Sequence, residues 1–259
     1  TAAGLVSTPV PVIGSTVEFE AGNTKYISSC YDTASNKVVI AYRDSSDSNK
    51  IKIVVGTVAS GAITFGTPFD VEAGLWTSIA YDANANKVVV NYYKNATDDG
   101  VSRVYTVSGT SVSFVTETVF SSVEIGRNAI CFDSSANKLI IAYEVPGDNT
   151  IKVRVGTISG TNLTFGAVAS TASPQGASIG LVYDANANKT LLCYRGTSNY
   201  GYAAVISVSG TTASIGTPAV FVSETVSDVA AVYDSSNNKT LIVWRKASNN
   251  YGAGIVATI

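Results

Sequence analysis

Apolar positions along this chain come in short runs cut by polar turns, and the runs are of two kinds. Residues 51–58 alternate, the mark of a strand with one covered face. Residues 38–41, Val-Val-Ile-Ala, are continuous and β-branched, which fits a strand covered on both faces. No stretch carries a 3.6-residue apolar stripe, so no helical array is expected. The pattern then repeats. Tyr31-Asp32 is followed by Asn36-Lys37, an apolar run and Tyr42; the same series returns at Tyr81-Asp82, Phe132-Asp133, Tyr183-Asp184 and Tyr233-Asp234. The anchors Asp32, Asp82, Asp133, Asp184 and Asp234 lie 50, 51, 51 and 50 residues apart, a period that means a stack or ring of equivalent units.

Each unit reads as four antiparallel strands. In the first, strands are predicted over residues 26–31, 37–43, 51–58 and 62–68. The Asp-to-Asn connection is a tight hairpin: Asp accepts local backbone hydrogen bonds and Asn tolerates the left-handed conformation that closes it. Ser60-Gly61 turns the third strand into the fourth, as Ser-Gly-Thr does at residues 108–110, 159–161 and 209–211. Four strands in about 50 residues is the blade of a β-propeller.

The ends predict closure. The fifth unit stops after its third strand, at Ile259, while residues 12–16 are a spare strand: Ile13 precedes Asp32 by 19 residues, as Ile215 precedes Asp234. Placing that strand in the fourth slot of the last blade predicts a closed, five-bladed propeller forming one domain over residues 1–259, with residues 1–9 as an outer leader. Such an exchange would remove two sheet edges. Positions four before the anchors (Ser28, Ser78, Ala129, Gly180, Ala230) are small, as strands crowding an axis require. Ile79, Ile130 and Leu181 should pack between blades, with the aromatic before each anchor beside them.

Composition narrows the function. Of 259 residues, 14% are charged and the net charge is −2, which leaves no electrostatic footprint for nucleic acid. No apolar run is long enough for a membrane helix. His is absent, removing the usual general base and the commonest transition-metal ligand. Met is absent too, so the chain is expected to be a processed or excised segment. No phosphate loop, dinucleotide fingerprint or zinc set is present, and no cofactor is expected. The three cysteines, Cys30, Cys131 and Cys193, read as small buried residues rather than a disulfide framework. The Asp-x-Asn-x-Asn series at Asp82 and Asp184 resembles the start of a calcium loop but lacks its later ligands, and reads as a turn.

Candidate chemistry lies where the symmetry breaks. Six residues before the anchors stand Tyr26, Trp76, Arg127, Ser178 and Asp228; eleven after them stand Arg43, Tyr93, Glu144, Arg195 and Arg245. Antiparallel pairing brings both sets to one rim. Aromatic rings and guanidinium groups there would suit a polar, uncharged ligand such as a sugar, with rings stacking on Trp or Tyr. Glycoside hydrolysis needs two carboxylates with separated roles; only Asp228 and Glu144 stand at these positions, in non-adjacent units, so the chain is expected not to be an enzyme.

The repeats Tyr-Asp-x-x-x-Asn-Lys-Val-Val-Ile-Ala-Tyr-Arg and Phe-Gly-Thr-Pro, fullest at residues 31–43, 55–68 and 209–218, resemble the propeller repeats of predicted structural proteins of marine bacteriophages. The resemblance implies an extracellular or virion-associated module, such as part of a tail fibre, that contacts a surface glycan or a virion or host protein. A lectin of non-viral origin is the alternative. The second unit departs most, with Asn91 in its strand and Val115-Thr116-Glu117 in place of Gly-Thr-Pro.

Overall fold

The structure, a computed structural model, describes residues 14–148, 150–171 and 178–259. They form 21 strands and one short 3-10 turn. The first unit holds β1 (Thr24–Asp32), β2 (Lys37–Asp44), β3 (Lys50–Ala59) and β4 (Ala62–Phe65). The second holds β5 (Phe69–Asp82), β6 (Lys87–Lys94), β7 (Asp99–Ser108) and β8 (Ser111–Ser121). The third runs through β9 (Asn128–Asp133), β10 (Lys138–Val145), β11 (Thr150–Ser159), β12 (Asn162–Phe165) and β13 (Ala169–Ser170). The fourth has β14 (Ile179–Asp184), β15 (Lys189–Arg195), β16 (Gly201–Ser209), β17 (Thr212–Ile215) and β18 (Ala219–Val222). The last has β19 (Val226–Asp234), β20 (Lys239–Lys246) and β21 (Gly252–Ala257).

All pairings are antiparallel, and each unit is a meander of neighbours. The start of β5 pairs with β3 before the strand crosses to the next unit and pairs with β6, which joins the first two units into one eight-stranded sheet. Fourth strands are broken in two at Gly66-Thr67-Pro68 and Gly216-Thr217-Pro218, where Pro cannot donate to the ladder, and at Gly166-Ala167-Val168, which holds no Pro. The second unit has Val115-Thr116-Glu117 instead, and β8 runs unbroken.

The anchor chemistry is the same five times. Each anchor aspartate accepts the amides two and three residues on through Oδ1, at 2.9–3.2 Å. Asn36, Asn86, Asn137, Asn188 and Asn238 close the turn in the left-handed region, with φ of 52–56°. A contact the sequence pattern did not announce locks it: the tyrosine before the anchor donates its hydroxyl to that asparagine at Tyr31, Tyr81, Tyr183 and Tyr233.

The inner strands β1, β5, β9, β14 and β19 follow one another around an axis, and each contacts the next. Among the described residues four apolar cores result, each shared by two consecutive units. Val39 and Ala41 of β2 meet Val88 and Val90 of β6, and the same register recurs where Ile140 and Ala142 meet Leu192. Burying one such side chain stabilises by about 1.5–3 kcal/mol.

Of the expected exchanged strand, Val12 and Ile13 lie outside the described residues, as does the leader, and residues 14–16 are coil. Among the described residues the last sheet has three strands, and β1 and β19 do not pack along their lengths. The closed five-bladed ring is therefore not what the described residues form. Tyr31 was expected between blades, yet it is 51% exposed while its equivalent Tyr81 is 9% exposed, because Tyr31 has no neighbouring unit on that side.

Candidate functional site: the axial mouth

The residues six before each anchor converge as the repeat spacing implies. Tyr26, Trp76, Arg127, Ser178 and Asp228 line one depression of about 190 Å³ at the end of the axis, with Thr77, Asn128 and the apolar Ile27, Ile179 and Val229 beneath them. Three of the five rim residues have a backbone that L side chains rarely adopt: φ is 53° at Tyr26, 58° at Trp76 and 52° at Asp228. Each sits in a bulge where the inner strand slips register against its partner. Such a conformation costs on the order of 1–3 kcal/mol at each non-glycine residue. The neighbouring unit offsets part of this: Thr77 donates to the Tyr26 carbonyl and Asn128 to the Trp76 carbonyl, while the Asp228 amide donates to Ser178 Oγ at 2.9 Å. Thr77 and Asn128 were missed from sequence. The available signal was a polar residue five before the anchor in those two units, where the others have Ile or Val.

The side chains form one continuous ladder. Arg43 lies 4.8 Å over the Tyr26 ring, Tyr26 and Trp76 have centroids 4.4 Å apart, and Arg127 lies 5.2 Å over Trp76. An Arg127 nitrogen is 3.8 Å from Asp228 Oδ1, and Arg245 Nε donates to Asp228 Oδ2 at 2.8 Å. The Arg245 hydrogen bond, with Arg127 nearby, holds the Asp228 carboxyl below the usual carboxylate range. Each aromatic ring thus already has a ring and a guanidinium against it, which leaves little face for a stacked sugar.

The other candidate positions separate. Arg43 and Arg245 support the lining residues from behind. Tyr93 donates to Asp98 in its own loop. The Glu144 carboxyl lies against the backbone of Gly126 and is pushed above its usual range by burial, against the pull of Arg195 and Arg127. Neither Tyr93, Glu144 nor Arg195 lines the mouth; Asp228 is its only carboxylate among the described residues.

Elsewhere, acids and bases serve the fold. Asp44 is buried and pairs with Lys52 at 2.9 Å. Glu20, Glu72 and Glu224 accept from Tyr42, Tyr92 and Trp244, the aromatics that end each second strand. A larger depression of about 670 Å³ borders Tyr143, Lys152 and Arg154, but Arg154 is committed to the carbonyls of Gly166 and Phe120 and Lys152 to Asp148. All three cysteines are free, and burial raises their thiols to about 12. Among the described residues no cluster of metal-ligating side chains occurs, and no helix is long and apolar enough to cross a membrane.

No family model matches the chain, and no curated protein does. Solved structures resemble its fold. AofleA from Arthrobotrys oligospora superposes with a TM-score of 0.59 at 12% identity, covering 89% of this chain and 67% of that one. The Aleuria aurantia lectin, a fungal lectin with a six-bladed β-propeller fold and a fucose recognition mode, gives 0.57 at 17% identity, covering 90% and 77%. An exo-β-1,3-galactanase from Phanerochaete chrysosporium, solved with β-1,3-galactotriose, gives 0.52 at 11% identity, covering 88% and 62%. At these identities the likeness is one of fold, and the fold is the β-propeller.

Proposed function

We propose that the chain is a five-bladed propeller acting as a non-catalytic glycan-binding module, used outside the cell or on a virion surface, with the axial mouth as its site. One observation carries the reading: equivalent positions of all five units meet in one depression, and three of them hold strained bulges there. Strain kept at a ligand-facing rim is a reason to look for function, because packing alone gives no cause to retain it. The volume is below the roughly 300–1,000 Å³ of ordinary small-molecule clefts, so the mouth has room for one terminal unit of a chain rather than a whole oligosaccharide. The Aleuria aurantia lectin supports the class of ligand, being a propeller that recognises a sugar. The galactanase keeps hydrolysis in view, yet one lining carboxylate does not supply the pair that glycoside cleavage needs.

The test is a glycan array followed by calorimetry on the best binder, with Trp76→Gly as the variant. Gly accepts φ of 58° without strain, so the variant should keep its melting temperature and lose binding. Binding that survives Trp76→Gly, or silence across the array, would overturn the proposal.

A further inference from the structure

The mouth's ligand can be narrowed by counting which charges at the rim are already used. Asp228 is held by Arg245, and Glu144 is turned into its own unit and protonates more readily than an ordinary carboxylate. Against these two acids stand four guanidinium groups, Arg43, Arg127, Arg195 and Arg245. Only Arg245 is fully engaged. Arg43 is 8% exposed, and its Nε is buried without a hydrogen-bond partner; Arg195 Nε is in the same state. Arg127 is the one that lines the mouth. Its side chain is 43% exposed, makes no hydrogen bond to an acid, and approaches Asp228 no closer than 3.8 Å. The lining itself holds one guanidinium, Arg127, and one carboxylate, Asp228, whose charge is already met by Arg245.

We infer that the axial mouth selects an acidic saccharide, with the ligand's carboxylate received by the Arg127 guanidinium beside the Trp76 ring. This rests on the glycan-binding reading above and replaces its stacking chemistry. The ring faces are taken by each other and by arginines, so recognition falls to the donor fork of Arg127, which matches a carboxylate in a bidentate fashion. Ser178 and Asn128, engaged with the Asp228 amide, the Trp76 carbonyl and Ser78, fix the lining around it. Arg43, stacked on the Tyr26 ring, adds charge from behind the lining.

The intact chain would be titrated calorimetrically with tetragalacturonate and its carboxyl-reduced, neutral counterpart, and separately with sialyllactose and lactose, which distinguishes uronate from sialate. The acidic member of at least one pair should bind on the order of tenfold tighter, since one charge-assisted hydrogen bond is worth about that factor. The advantage should shrink with salt, vanish in Arg127→Gln at an unchanged melting temperature, and survive in part in Arg127→Lys, which keeps the charge and loses the fork. Equal binding of acidic and neutral members, or a preference that persists in Arg127→Gln, would overturn the inference and leave the glycan reading standing. Binding of none of the four would overturn both.

Discussion

Between consecutive units the apolar faces are sealed, while among the described residues the outward faces of the first and last units are more exposed. At the position seven past the anchor, Val39, Val89 and Ile140 are 0% exposed and Leu191 is 4% exposed, against 39% for Leu241. Nine past the anchor, Ala41, Asn91, Ala142 and Cys193 are 0% exposed against 37% for Val243. On the other side of the gap, Val38 and Ile40 of β2 are half-buried where Val88, Val90, Leu139 and Ile141 are fully buried. The residue types hardly differ between sealed and open faces. What differs is the presence of a partner sheet, so the apolar run of a second strand is an offer of packing that only the next unit can take up.

The largest expected effect is on that contrast. Ile140→Ala should lower stability by about 2–5 kcal/mol, whereas Leu241→Ala at the same register should cost under about 1 kcal/mol, both read by chemical denaturation. Equal losses would mean that the seam is covered in solution. Next comes the turn. Asp133 is 2% exposed, and its two charge-assisted bonds should make Asp133→Ala cost about 2 kcal/mol. The same change at the exposed Asp234 should cost less, by a margin visible in melting temperature. The smallest effect is at the rim. Because burial raises the Glu144 carboxyl, the folded state holds that proton to higher pH than the unfolded chain does. Its contribution is therefore most favourable below the ordinary value of 4.5 and declines as pH rises past it. Glu144→Gln should leave the melting temperature unchanged near pH 4 and raise it at pH 7 by less than about 2 °C. Arg245→Ala, on the exposed last unit, should move it little at either pH. A Glu144→Gln gain confined to pH 4 would reverse the assignment.

Much of this was readable in advance because it depends on neighbours in sequence. The Asp-to-Asn hairpins, the Ser-Gly turns and the small inner residues follow from local chemistry and the fixed period. The convergence of residues 26, 76, 127, 178 and 228 follows from that period alone. Three things were not readable. The bulges at Tyr26, Trp76 and Asp228 are backbone states, held in part by side chains of the next unit. The bonds from Glu20, Glu72 and Glu224 to second-strand aromatics join segments whose separation shifts by two residues between units. The exposure of Leu241 and Val243 among the described residues depends on which sheet packs beside the last one, which no run of apolar residues encodes.

The hairpin lock has a consequence for how such a chain can change over generations. Aspartate, asparagine and, in four units, tyrosine complete one another within a few residues, so the hairpin of each unit is specified inside that unit. Tandem gain or loss of one segment would leave every hairpin lock intact, and the wedges present similar apolar surfaces fore and aft. The number of wedges is then a quantity that recombination can adjust in whole steps, while the axial rim gains or loses a single side chain at a time.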